Sequence, residues 1–229
     1  MDMYSIKRKS TPQKLLLTVL ELGLLIIAAR ILFGSWGVVI SQWFGWASPE
    51  ILPARRIVIM AFSVIIFLRM VFTMFYLIKR RLPWAEALSI PFAFAIYYVG
   101  YAILVLHSSA PLGVIDILAI ALFILGCVLN TGSEMQRDIF KRDPQNKGRL
   151  YTGGMFAWSM HINFFGDILW VLAYALITQN IWSTVIVIFI FLLFAKFNVP
   201  KLDAYLAGRY GDDFVKYAQS TKKLVPWVW

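Results

Sequence analysis

The chain has 229 residues, of which 60% are hydrophobic and only 15% charged, and its mean hydropathy is +0.73. Soluble domains carry about 25% charged residues, so the composition marks an all-α polytopic membrane protein; it excludes a disordered chain, a collagen and a disulfide scaffold, since Cys127 has no second cysteine to bridge. The formal charge of +10, with a pI near 9.8, is read as basic cytoplasmic loops and not as a nucleic-acid footprint.

A hydrocarbon core of about 30 Å needs about 20 apolar residues in helical form. Six runs meet that length: Leu15 to Phe33, Ile57 to Ile78, Ala87 to Leu106, Leu112 to Thr131, Phe156 to Ile177 and Ile181 to Val199. The first run is too long for the apolar part of a cleavable signal, and no small-residue cleavage pattern follows it. Lys7, Arg8, Lys9 and Lys14 precede the first helix, and Lys79, Arg80 and Arg81 follow the second. Arg137, Lys141, Arg142, Lys147 and Arg149 fill the loop after the fourth helix, and Lys201, Arg209, Lys216, Lys222 and Lys223 follow the sixth. That alternation predicts that both termini are cytoplasmic. Arg55 and Arg56 break it by standing on the external side. The connection that ends with them, from Gly34, carries Trp36, Trp43, Phe44 and Trp46, the composition of an interfacial or re-entrant segment or of a seventh, half-length crossing. No repeat or linker divides the chain, so residues 1–229 read as one integral membrane domain. The tail from Pro200 to Trp229 fits a helix at the membrane surface.

Ionisable side chains inside membrane helices are costly, which makes each a candidate for function. They are Glu21, Arg30, Arg69, Asp116, His161, Asp167 and Lys196. Ser159, Asn163 and Asp167 stand at i, i+4 and i+8, and Asn130, Glu134 and Arg137 at i, i+4 and i+7. Each set forms one polar stripe on its helix, and the two are predicted to converge on one cavity because neither can face lipid. Arg30, Asp116 and Lys196 lie near helix ends and read as snorkelling residues. Glu21 and Arg69 read equally well as a buried pair or as catalytic groups. With His107 and His161 the only histidines, a histidine-rich metal site is excluded, and a lone buried histidine is more often a packed residue than a ligand. The loop from Arg137 to Gly154 either enforces topology or binds an anionic cofactor, with Gly153 and Gly154 at a presumed helix N-terminus where free amides favour phosphate. No glycine-rich dinucleotide fingerprint or phosphate loop is present.

The run Gly-Gly-Met-Phe-Ala-Trp-Ser-Met-His-Ile-Asn-Phe-Phe-Gly-Asp from Gly153 to Asp167, and the ending around Arg209, Tyr210, Gly211, Phe214, Tyr217, Lys222 and Pro226, resemble the C-terminal half of the steroid 5-alpha-reductase family and its bacterial relatives. Asn163 to Asp167 looks like the family's Asn-Phe-Leu-Gly-Glu element with Asp in place of Glu, and Asn130, Ser133 and Glu134 match its preceding helix. Arg209, Tyr210 and Gly211 also look like the Lys-Tyr-Gly element of the sterol reductases. The resemblance covers Leu112 to Trp229, the C-terminal cofactor-binding half, and more loosely Arg69 to Pro83. It implies a membrane oxidoreductase acting on a carbon–carbon double bond of a lipid or steroid-like substrate, of the 3-oxo-5-alpha-steroid 4-dehydrogenase kind, with NADPH entering from the cytoplasm. The cofactor-binding positions it implies are Asn130, Glu134, Lys141, Arg149, Asn163, Asp167 and Tyr210, with Lys141 and Arg149 suited to phosphates. On the substrate side the family uses a Glu and a Tyr to polarise a carbonyl oxygen. Glu50, in Pro49 to Ala54, resembles its Glu-Leu-Pro element; Ile66 stands where its tyrosine would be, and Tyr98, flanked by Tyr97 and Tyr101, supplies a phenol instead.

Two other classes compete. Membrane methyltransferases of the isoprenylcysteine or phospholipid type, which use S-adenosylmethionine, resemble the same region, but their Arg-His-Pro is here Met160, His161 and Ile162. A small transporter would also place charges in the membrane, yet no repeat or paired broken helices support one. The expected partners are a lipidic substrate and the lipids of a bacterial inner membrane, or of the endoplasmic reticulum in a eukaryote.

Overall fold

A computed structural model describes residues 10–46, 54–108 and 110–229. The described residues hold helices and turns and no strand. The helices are α1 (Thr11–Phe33), α2 (Ser35–Trp43), α3 (Ala54–Leu77), α4 (Trp84–His107), α5 (Val114–Arg142), α6 (Ile162–Thr178), α7 (Ser183–Tyr210) and α8 (Asp212–Ser220). Five of them, α1, α3, α4, α5 and α7, are long and apolar enough to cross a membrane; α6 is an apolar helix of 17 residues, at the short end of what can span. The chain is an integral membrane protein of helical class. The segment rich in tryptophan after Gly34 is the nine-residue α2, folded so closely against the end of α1 that a methyl group on Gly37 would stand 2.2 Å from the carbonyl oxygen of Ile31. Four of the long helices each carry one π turn, at Thr73–Leu77, Ile96–Gly100, Val128–Gly132 and Phe194–Asn198, and such turns shift the helical phase of the residues beyond them.

The chain divides into two compact units, Met1–Ala119 with Tyr174–Thr184 and Ile120–Ala173 with Val185–Trp229. In the first, α1 packs on α3 and α4, with Leu17, Met74, Leu82 and Ala87 buried together. One end is tied by Lys14, whose Nζ donates to the Ile78 carbonyl that ends α3 (2.6 Å), and by the Leu82 amide, which donates to Ser10 Oγ (3.1 Å). At the other end, Arg55 is 1% exposed and Asp116 also 1%. The Arg55 guanidinium donates to both Asp116 oxygens and to the carbonyls of Ala110, Pro111 and Ile177. Asp116 does not snorkel as expected; it accepts the Arg55 pair and the Gly113 amide (2.7 Å). Arg56 donates to the Leu32 carbonyl (3.2 Å). These two arginines are structural groups, which accounts for their standing against the charge alternation.

In the second unit, α5 and α6 meet at Gly126 and Gly166. A methyl group on Gly126 would lie 2.6 Å from the Gly166 carbonyl oxygen, and one on Gly166 would lie 2.6 Å from the Asn130 amide nitrogen. Small residues at a crossing let membrane helices touch through their backbones. Leu129, Phe156, Ile162 and Leu169 are buried beside this crossing.

The predicted fifth span was placed from Phe156, but α6 starts at Ile162. The main chain before it bonds to the tail instead: Met160 N donates to Lys222 O (2.8 Å) and His161 N to Lys223 O (3.0 Å). Ser159 Oγ donates to the Lys223 and Leu224 carbonyls (3.0 and 2.9 Å), so it belongs to this clasp and not to the polar stripe with Asn163 and Asp167. The clasp rests on Met160, Phe214 and Tyr217, and the Tyr217 hydroxyl donates to the Phe156 carbonyl (2.6 Å).

Candidate functional site

The backbone contact at Gly126 and Gly166 fixes what the next turn of each helix presents. Asn130, one turn beyond Gly126, donates through Nδ2 to the Asn163 carbonyl (3.1 Å) and to Asp167 Oδ1 (2.9 Å). Asn163 donates through its own Nδ2 to Glu134 Oε1 (2.9 Å). The predicted convergence of the two stripes is therefore present as one chain of hydrogen bonds, Glu134 to Asn163 and Asn130 to Asp167. Its π turn, Val128–Gly132, holds Asn130 itself. All four side chains are half-buried, so the network keeps an open face.

Two further residues complete it. Trp170 Nε1 donates to Asp167 Oδ1 (2.7 Å), and Arg137 pairs with Glu134 Oε2 while its guanidinium stands 5.4 Å from the Phe156 ring centroid. Lys141 lies one turn beyond Arg137, on the exposed side of α5, within electrostatic reach of Arg137, Glu134 and Arg209. Tyr210 packs into the Met160, Phe214 and Tyr217 cluster, with the Arg209 guanidinium 5.6 Å from its ring. Arg149 is exposed in the loop and not joined to the network by a described side-chain bond. The second unit thus sets Asn163 and Asp167 on the apolar α6, and Asn130 and Glu134 where α5 passes from apolar to polar sequence, with Arg137, Lys141 and Arg209 towards the helix ends.

The glycines before the site act differently from expectation. Gly153 and Gly154 open a four-residue 3-10 turn, Gly154–Ala157, not a helix. The Met155 amide is already taken by Gln136 Oε1 (2.9 Å). Gly154 is required by its φ of +56° and by the 2.3 Å that a methyl group there would leave to Gln136 Oε1. These residues pack the loop, and no helix starts at them.

His161 is 1% exposed and bonds through Nε2 to Asp203 Oδ1 (2.8 Å); Lys223 Nζ lies 3.4 Å from Asp203 Oδ2. Its expected role as a packed, hydrogen-bonded residue matches this placement. Sequence reasoning missed Asp203, although a signal existed: it is the sole acidic residue between Asp167 and Asp212. It missed Trp170 too, which sits one turn after Asp167 on the stripe.

In the first unit, Tyr98 is fully buried on the π turn of α4. Its hydroxyl and the fully buried Glu21 carboxylate lie within interaction reach, and no hydrogen bond from another residue satisfies either group. Arg69 and Tyr174 also act on Tyr98. Of the two readings of Glu21 and Arg69, a hydrogen-bonded pair is not the one found: neither Glu21 oxygen accepts a hydrogen bond from Arg69. Tyr174, stacked on Tyr101, donates to Ser63 Oγ (3.1 Å). Glu50 lies outside the described residues.

Fold and site together define a polytopic helical membrane protein with a half-buried polar network between two of its helices. A family profile described as "Protein of unknown function (DUF1295)" matches residues 84–221, and the chain belongs to that family, which is the steroid 5-alpha-reductase-like family. It is 28% identical over 165 residues to the Delta(14)-sterol reductase of Methylotuvimicrobium alcaliphilum, covering 64% of this chain and 36% of that protein. It is 35% identical over 89 residues to the probable O-methyltransferase ustE of Ustilaginoidea virens, covering 38% of this chain and 31% of that protein. The matches thus span about a third of the length of these curated relatives.

Proposed function

We propose that the chain is a membrane-embedded reductase that uses NADPH to reduce a carbon–carbon double bond in a lipid or steroid-like substrate. The observation that carries this is the network of Asn130, Glu134, Asn163 and Asp167, which keeps two carboxylates and two carboxamides half-buried between α5 and α6. The donor set fits the cofactor. Carboxamides and carboxylates suit the amide and hydroxyl groups of a nicotinamide riboside, Lys141 near the end of α5 and Arg149 in the loop suit phosphates, and Tyr210 would add a contact to the cofactor. When bound, NADPH would supply a hydride to the double bond. Asn163 and Asp167 orient the ligand, and Asn130 and Trp170 hold Asp167 in place for it. Tyr98 is the phenol assigned to proton donation, with Glu21 as the positioning residue that orients its hydroxyl; Glu50 keeps the role that its sequence suggests. The sterol reductase relative supports this reading. The alternation of basic loops supports a topology with both termini in the cytoplasm, from which NADPH would enter.

The O-methyltransferase relative favours a second reading, methyl transfer from S-adenosylmethionine. Met160 and Ile162 weigh against it, since that class carries arginine and proline at these places. Calorimetry of the purified protein with NADPH and with S-adenosylmethionine separates the two. NADPH binding without S-adenosylmethionine binding is expected, and the reverse pattern overturns the reductase reading.

A further inference from the structure

The first unit contains a cavity of about 660 Å³ that neither the polar network nor the Glu21 and Tyr98 pair explains. It lies where three connections meet: the end of α2, the end of α4, and the turn between α6 and α7. One wall is a preformed aromatic stack. The rings of Phe44 and Trp46 are 4.7 Å apart and nearly parallel, and the His107 ring stands 5.5 Å from Trp46. Leu104 and Trp182 also line it, the latter 70% exposed.

The lining selects a chemistry. It contains no Asp, Glu, Lys or Arg among the described residues, so an ionic head group would find no counter-charge. Asn180 is committed to the wall, donating to the Leu104 carbonyl (3.3 Å) and accepting from the Trp182 amide (3.0 Å). Beside the indole N–H groups of Trp46 and Trp182, the polar side chains left for a ligand are the exposed His107 imidazole and the exposed Gln179 carboxamide. Gln179 has φ +49°, a left-handed conformation that is uncommon outside glycine and that tends to persist at functional sites. A volume within the usual range for small-molecule sites, mostly apolar walls and a few hydrogen-bonding side chains match one kind of occupant. Tryptophans at helix ends place such a cavity at head-group depth.

We infer that this cavity binds a neutral amphiphile, an apolar body ending in one hydroxyl or carbonyl group that His107 and Gln179 hold. The proposal does not depend on the reductase reading. It is tested with the full chain in lipid nanodiscs, using hexadecanol bearing a diazirine on its chain and, in parallel, the corresponding hexadecanoate. The alcohol is expected to label the peptides around Leu104 and Trp182, to be competed by unlabelled hexadecanol, and to exceed the anionic probe there. Leu104→Trp, which fills the cavity, should lower that labelling about tenfold. His107→Phe with Gln179→Leu, which keeps the walls and removes these two polar groups, should lower it as well, and serves if Leu104→Trp does not fold. Trp43→Ala, an exposed aromatic outside the lining, should leave it unchanged. Labelling that is uncompeted, evenly spread over lipid-facing helices, equal for the anionic probe, or unmoved by the polar double variant overturns the proposal.

Discussion

Gly126 and Gly166 touch backbone to backbone: a methyl group on Gly166 would stand 2.7 Å from the Gly126 carbonyl oxygen, with no flexible side chain able to yield. Gly166→Ala and Gly126→Ala are therefore expected to part α5 from α6 and to cost about 1 to 3 kcal/mol, as overpacking does. Because Asn130 reaches Asp167 only across this contact, cofactor affinity should fall together with the melting temperature. Thermal melts and calorimetry on the same samples check it. A Gly166→Ala protein that melts normally would show that the helices have slack at this crossing.

Asp167 accepts hydrogen bonds from Asn130 and Trp170. If it also holds the cofactor, Asp167→Ala removes a charged acceptor worth about 1.5 to 3 kcal/mol, so NADPH affinity should fall about 10-fold or more. Asp167→Asn keeps an acceptor for Trp170 and should preserve the apo melting temperature while losing most of the affinity. Asn163→Ala, which releases Glu134, should weaken binding in the same direction. Unchanged affinity in all three variants removes the network from the cofactor site.

Arg55 and Asp116 form a pair with nearly no solvent contact. Removing one partner of such a pair leaves an uncompensated buried charge, at a cost of about 3 to 5 kcal/mol. Asp116→Ala should accordingly express poorly or melt early. Arg55→Leu combined with Asp116→Leu should recover much of the loss, since two apolar groups leave no stranded charge. With Arg55 a structural group, the double variant should also leave a reporter fused after Trp229 on the same side of the membrane as in the parent, the cytoplasmic side on the proposed topology. Melting of the purified variants and the reporter assay test the two halves of this statement.

The polar stripes were legible because helical spacing alone places Asn130 with Glu134 and Asn163 with Asp167, and the apolar surroundings of each leave no other place for them to go. Ser159 shared that spacing yet left the stripe, because the tail at Lys223 and Leu224 offers carbonyls that end the helix at Ile162; a periodicity argument does not see a partner more than sixty residues away. Asp116 and Arg55 failed for the same reason. Each has an innocent local explanation, a helix end and a loop charge, and only the folded chain brings them together. Glu21 and Tyr98 lie on different helices, so the sequence displays both and gives no sign that they meet. The six apolar runs were readable from length and composition, whereas the π turns that set the facing of Asn130 and Tyr98 leave no mark in the hydropathy pattern.

Tyr217 lies outside the apolar spans, on α8, where burial raises its phenol above the ordinary value near 10, against a smaller opposing effect of Arg137. Its hydroxyl donates to the Phe156 carbonyl and so must stay protonated in the folded state. The sign follows from linkage. A group whose folded pKa is raised contributes its full stability below the unfolded pKa, and that contribution is lost as pH rises from about 10 towards the folded value. The melting temperature should therefore be flat with respect to this group up to about pH 9 and fall above about pH 10. Tyr217→Phe should lose about 0.5 to 1.5 kcal/mol at neutral pH, the usual worth of one hydrogen bond, and should fall less steeply above pH 10 than the parent. Melting curves of both proteins across that window decide it. Equal slopes for Tyr217→Phe and the parent would mean that the phenol is free to ionise in the folded state, and that the bond to Phe156 does not hold the loop to the tail.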